Sequence, residues 1–234
     1  MSARTYDLYA SPALQGLRQA QDRALEPLLR RCAGEHALLL GVAPQEAILP
    51  LPLLADWTRL LWDAGQWRGD LRARGDEALP VQDDSIHLAL VRHVLEVSPW
   101  RSALLREIVR VLAPGGTLAI VGVHPFGGWS PWMHWRGRGS RLALMAPEQL
   151  AHALRRHGLE IGRVARVGGL WPGRPDSPHG NRLLGGGYLL LAGKPRQVAV
   201  ATRLRPRWAT PPPPAPANLV PGARRFDIKE SVRR

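Results

Sequence analysis

Apolar residues first recur at helical spacing: Leu14, Leu17, Ala24, Leu25 and Leu28 fall on one stripe of "SPALQGLRQAQDRALEPLLRRCAG". Ser11 and Pro12 are start signals and Gly34 is a stop, so the segment predicts an amphipathic helix lying against a domain. The pattern then changes to short unbroken apolar runs. "HALLLGV" (36–42) is too short for a helix and is bounded by glycine, which predicts a buried strand. "TRLLW" (58–62) predicts a second strand ending at Asp63, and "DLRARGDEALP" (70–80) a weaker third. "IHLALVRHV" (86–94) and "TLAIVGV" (117–123) predict the fourth and fifth. Helices are expected around residues 44–54, shortened by Pro50 and Pro52, and from Pro99 to Leu112, where "APGG" breaks the chain before the fifth strand.

Strands alternating with helices imply parallel pairing and a doubly wound α/β sheet. After Val123 the pattern becomes loop, then a helix near Pro147 to His157 with Gly158 as its stop. "LEIGRVARV" (159–167) and "YLLLAGK" (188–194) are joined by Gly- and Pro-rich chain without a helix, which predicts an antiparallel hairpin at one end of the sheet. The run "TPPPPAPA" cannot join a helix or sheet interior. The expected organisation is an N-terminal tail over 1–10, one domain over 11–208 and a disordered Pro/Arg-rich tail over 209–234.

The formal charge of +13 modifies this picture little. From Thr202 to Arg234 there are eight basic and two acidic residues, a balance of +6, which leaves 13 − 6 = +7 for residues 1–201. Nearly all the cations are arginine in a chain rich in Ala, Gly, Pro and Leu, the bias of a GC-rich coding sequence, so a specific nucleic-acid partner is not expected. A single cysteine, Cys32, excludes an internal disulfide and a cysteine zinc cage, and no His or carboxylate cluster suggests a metal. No apolar run approaches a membrane span and no signal-peptide core is visible, so a cytoplasmic protein without a transmembrane segment is expected.

Residues 79–122, "LPVQDDSIHLALVRHVLEVSPWRSALLREIVRVLAPGGTLAIVG", resemble the small-molecule type of class I S-adenosylmethionine-dependent methyltransferases. The counterparts of the family pattern are Leu79 and Pro80, then Ser85 to His87, His93 to Glu96, Arg106 to Leu112, and Pro114 to Gly116. The resemblance implies a Rossmann-like seven-stranded sheet, mostly parallel with one antiparallel strand, S-adenosylmethionine as cofactor and a small-molecule methyl acceptor. It also places the cofactor at the strand ends, at Gly41, Ala43, Asp63, Asp76, Glu77, Leu79 and Arg92. Asp63 would accept hydrogen bonds from the ribose hydroxyls, and Asp76 or Glu77 would meet the adenine.

The chain departs from the family at "LLLGVAPQ". Leu39 stands where an acid is expected, while Ala43 and Gln45 replace glycines. A lost carboxylate contact to the cofactor ammonium costs roughly 1.5–3 kcal/mol, or about ten- to a hundredfold in affinity. Methyl transfer from a sulfonium needs mainly positioning, with a base only for a protonated acceptor. His93 is the first candidate base and His124 the second. "VRHVLE" after the fourth strand is not the Asn/Asp-Pro-Pro-aromatic motif of amino-methylating nucleic-acid enzymes, and Cys32 is misplaced for cytosine chemistry. Trp129, Trp132 and Trp135, with Phe126 and Met133, suit an acceptor-pocket wall, a membrane contact or a cap on the sheet. The alternative to catalysis is a methyltransferase fold that serves as a structural or partner-binding module.

Overall fold

A computed structural model describes residues 7–42, 46–138, 142–173 and 185–196. Helix α1 (Pro12–Leu29) begins after extended Ser11 and buries Leu14, Leu17, Ala20, Gln21, Leu25 and Leu29, so the apolar stripe carries one polar residue. The rest of the chain runs β1 (Gly34–Gly41), β2 (Leu54–Asp63), β3 (Gln66–Gly69), β4 (Ala73–Arg74), β5 (Ile86–Arg92), α2 (Val94–Val97) and α3 (Arg101–Val111). Then follow β6 (Leu112–Val123), α4 (Trp129–Arg136), α5 (Pro147–Arg156), β7 (Glu160–Val167) and β8 (Gly187–Gly193).

One mixed sheet holds these strands in the order β4-β3-β2-β1-β5-β6-β8-β7. The central pairs β2–β1, β1–β5 and β5–β6 are parallel. The remaining pairs are antiparallel, so β3 and β8 run against the other strands. The Rossmann-like α/β class is therefore as expected, with eight strands rather than seven. The expected antiparallel hairpin at one end of the sheet is β7–β8, and β8 inserts between β6 and β7.

Alternating side chains of the central strands bury both faces. Leu38, Leu40, Ala89, Val91, Leu118 and Ile120 pack with Leu104, Leu105 and Ile108 of α3. On the other face Leu39, Leu88, Leu90, Ala119 and Val121 meet Leu25 and Leu29 of α1 together with Leu49 and Leu51. That second layer corrects the helix expected over 44–54: its described part, 46–53, is irregular chain that buries Leu49 and Leu51. Pro50 and Pro52 remove backbone donors that a helix there would need.

The third strand is also corrected. β2 ends in a tight turn, with Ala64 at φ 49° and Gly65 at φ 84°, so the chain reverses at once and β3 pairs antiparallel with β2. Positive φ at both turn residues suits the right-handed twist of a hairpin. Trp62 lies opposite Trp67, with ring centroids 5.0 Å apart in an edge-to-face contact that holds the two strands. Residues 70–80 contribute only the two-residue β4. The described residues belong to one compact unit ending at Gln197, so the expected boundary at Trp208 and the tail beyond it lie outside them.

Candidate functional site

Strand order reverses between β1 and β5: the chain leaves β1 towards β2 on one side and continues from β5 to β6 on the other. In open α/β sheets a crevice forms beyond the carboxyl ends of the strands at such a point. Gly41 closes β1 there, Arg92 closes β5, and His93 follows.

Four charges converge at this edge. Glu46, its side chain 1% exposed, accepts a hydrogen bond from Arg92 Nη1 at 3.1 Å and pairs with Arg18 Nη2 at 3.0 Å. Arg92 Nη1 also donates to the Ala47 carbonyl at 3.1 Å, and Arg92 Nη2 lies 2.7 Å from Asp22 Oδ1, an ion pair without hydrogen-bond alignment. Arg18 and Asp22 share a face of α1 one turn apart. Burial raises the pKa of Asp22, with Arg92 pulling it the other way. Among the described contacts two cations face two anions, yet Arg18 Nε, Arg92 Nε and Arg92 Nη2 are buried without a hydrogen-bond partner among the described residues. Arg18, Asp22, Ala47 and Arg92 line a recess of about 220 Å³ with Gln15 and Gln19. Glu46 folds back over Gly41, where a Cβ would stand 2.6 Å from Glu46 Cγ.

Beside this cluster a second network encloses His93. Its Nδ1 meets Glu96 Oε1 at 3.1 Å and its Nε2 meets Gln21 Oε1 at 3.0 Å. Gln21 is oriented by donating Nε2–H to the Gly122 carbonyl at 3.0 Å, so both ring nitrogens face acceptors. Glu96 also accepts from Tyr9 Oη and from Val123 N–H, each at 2.6 Å. Burial, with the Glu96 carboxylate next, raises the Tyr9 hydroxyl well above its ordinary range, so Tyr9 stays a donor. His93 itself sits at φ 57°, a left-handed conformation that costs about 1–2 kcal/mol in a non-glycine residue and that this network sustains.

The remaining sequence-predicted positions are dispersed. His124 Nε2 lies 2.9 Å from Arg166 Nη2, and its Nδ1 is 3.2 Å from the Phe126 carbonyl. Burial first, and Arg166 second, lower its pKa, which keeps the ring neutral with Nε2 accepting from the guanidinium. Asp63 pairs with Arg68 at 3.0 Å, two residues past the Gly41–Leu61 rung of the β1–β2 ladder. Asp76 and Glu77 both contact exposed Arg74. Leu79 is buried, its N–H bonded to Glu107 and its carbonyl to Arg110. Ala43 lies outside the described residues. Leu39 is fully buried in the apolar layer under α1, so that side chain does not face the crevice.

Residues 56–120 match the family described as a methyltransferase domain. An uncharacterized methyltransferase of Mycolicibacterium vanbaalenii is 32% identical over 172 residues, 69% of this chain and 56% of the relative. Another, from Mycobacterium tuberculosis, is 32% identical over 145 residues, 59% of this chain and 49% of the relative. Over these residues the chain is similar to the methyltransferase family. An S-adenosylmethionine-dependent methyltransferase from Thermotoga maritima shares the methyltransferase fold at TM-score 0.53 and 18% identity, covering 82% of this chain and 93% of that one. The chain spans about half the length of the curated relatives it matches, 49% and 56%.

Set in this methyltransferase fold, Gly41, Arg92, His93 and Asp63 share one edge of the central strands, whereas Asp76 and Glu77 belong to the β3–β4 side. Arg18, Gln21, Asp22, Glu46 and Glu96 were not singled out from sequence. Gln21 carried a legible signal, a polar residue inside an apolar stripe.

Proposed function

We propose that the protein is a cytoplasmic S-adenosylmethionine-dependent methyltransferase acting on a small-molecule acceptor, with no specific nucleic-acid partner. The four-charge cluster beside Gly41 carries this reading. The amino-acid end of the cofactor is a zwitterion. Its carboxylate suits the unpartnered N–H groups of Arg18 and Arg92, and its ammonium suits Asp22 in the recess, with Glu46 next to it on the same two arginines. Adding a neutral zwitterion to a neutral cluster leaves no uncompensated buried charge, whereas a lone carboxylate or amine would. Glu46 thus offers the carboxylate that Leu39 lacks. Asp63, at the end of the neighbouring strand, suits the ribose hydroxyls, and Asp76, Glu77 and Leu79 have weaker support as adenine contacts.

When bound, the cofactor supplies an electrophilic methyl group on a sulfonium. The protein's part is to orient the two reactants and keep water out. Within this reading His93 is a positioning residue, since both nitrogens are engaged and its ring ties Gln21 of α1 to Glu96 beyond β5. His124, kept neutral, is the better candidate base for a protonated acceptor, provided Arg166 yields Nε2.

One observation favours the second reading, a catalytically silent module: Glu46 occupies the space over Gly41 that the family's glycine-rich loop leaves for ligand. Calorimetric titration with S-adenosylmethionine and S-adenosylhomocysteine separates the two. Micromolar binding that weakens in Asp63→Ala supports the enzyme. A folded protein that binds neither ligand at millimolar concentration selects the silent module.

A further inference from the structure

Four large apolar side chains stand in solvent along the edge of the sheet that carries the site: Phe126 (71% exposed), Trp135 (56%), Trp171 (51%) and Leu170 (41%). They come from two segments, one after β6 and one after β7, whose carboxyl ends lie at the same edge because β8 runs against both. The segments are locked together. Trp171 packs on Gly128 where no Cβ would fit, and Trp129 Nε1 donates to the Gly169 carbonyl at 2.8 Å. Behind the exposed layer, Trp129 and Met133 are buried, and Trp132 meets Trp129 edge-to-face at 5.7 Å. The exposed aromatics therefore project from a fixed base, and their exposure is a property of the fold.

The two segments that carry these side chains hold no carboxylate. No acidic residue occurs between Glu107 and Glu148 or between Glu160 and Asp176, while Arg136 follows Trp135 and Arg166 meets His124, whose ring is 5.7 Å from that of Phe126. Exposed aromatic rings beside arginines match the headgroup layer of an anionic bilayer: rings enter the interface and guanidiniums meet phosphates. No helix among the described residues is long and apolar enough to cross a membrane, so contact through this edge would be peripheral.

We propose that the edge formed by Phe126, Trp135, Leu170 and Trp171 docks on an anionic membrane surface. The proposal stands independently of the cofactor reading. It is tested by co-sedimenting the full chain with vesicles of phosphatidylcholine alone and of phosphatidylcholine with about 30% phosphatidylglycerol. The expected result is sedimentation with the anionic vesicles only, weakened about tenfold or more in Phe126→Ser/Trp135→Ser/Leu170→Ser with an unchanged melting temperature. If the triple variant fails to fold, Trp135→Ser alone, at the exposed end of α4, is expected to weaken sedimentation about threefold. No sedimentation with anionic vesicles overturns the proposal, as does equal sedimentation of parent and variant, which assigns lipid binding to the basic tail. In the absence of vesicle binding, self-association or RNA binding that the variant abolishes would give the edge to a second copy or to nucleic acid, and would also overturn it.

Discussion

Arg92 and Glu46, 46 residues apart in the chain, meet at 3.1 Å with side chains only 2% and 1% exposed, so each carries the counter-charge that water would otherwise supply. Removing one partner strands the other in a poorly solvated place. Arg92→Met is therefore expected to lower unfolding stability by roughly 3–5 kcal/mol, and Arg92→Met/Glu46→Gln by clearly less than the sum of the single changes. Denaturant unfolding of the three variants checks the coupling; additive losses would mean that the pair is not a unit.

Leu39→Glu restores the family's acid in sequence but not in space. Leu39 is fully buried with Leu25, Leu29 and Leu90, so an acid there meets apolar side chains. The expected outcome is a loss of roughly 3–5 kcal/mol or failure to fold, without tighter cofactor binding. A stable variant with improved affinity would show that the β1 end is wrongly described.

Tyr9 reports on the network around His93. Its hydroxyl donates to Glu96 at 2.6 Å in a buried setting, so Tyr9→Phe leaves a carboxylate oxygen short of a donor and should cost about 1–3 kcal/mol. Thermal melts of Tyr9→Phe beside an exposed control such as Arg156→Gln check this, the control being expected to stay within about 0.5 kcal/mol of the parent.

His124 should give the fold an acid-sensitive component. Burial and Arg166 depress its pKa below the ordinary 6.5, against weaker support for the charged form from the Phe126 carbonyl and Glu148. Between the depressed value and 6.5 the unfolded chain binds more protons, so stability rises with pH there and is lost as pH falls through that window. Melting temperatures taken from pH 7.5 downwards should fall below about pH 6.5, and the slope should be shallower in His124→Gln. Parallel profiles in the two proteins would remove His124 as the source.

Periodicity made the central sheet legible. The runs 36–42, 86–94 and 117–123 are apolar on both faces because each strand is covered by layers on both sides, and they appear as β1, β5 and β6. The "DAGQW" hairpin escaped because Ala64–Gly65 is a weaker turn signal than Asn–Gly, and because Trp62 and Trp67 reveal their partnership only once the turn is placed. The site was half legible. Gly41, Asp63 and Arg92 could be placed at strand ends by resemblance. Their partners could not, since Glu46 in "PQEAILP" and Asp22 in α1 are joined to Arg92 only by tertiary folding. The same holds for His93, whose two ring nitrogens meet Gln21 and Glu96 only in the folded chain.

The central claim is that the Arg18–Asp22–Glu46–Arg92 cluster receives an amino-acid zwitterion. Its most direct test is calorimetric comparison of S-adenosylhomocysteine with 5′-methylthioadenosine, which retains adenine, ribose and sulfur but lacks that end. S-adenosylhomocysteine is expected to bind at least about thirtyfold more tightly, a gap of about 2 kcal/mol for the charge-assisted contacts, and Arg18→Gln to narrow it to less than about tenfold. Equal affinities for the two ligands would contradict the claim while leaving cofactor binding in place, and binding of neither would remove the cofactor reading as well.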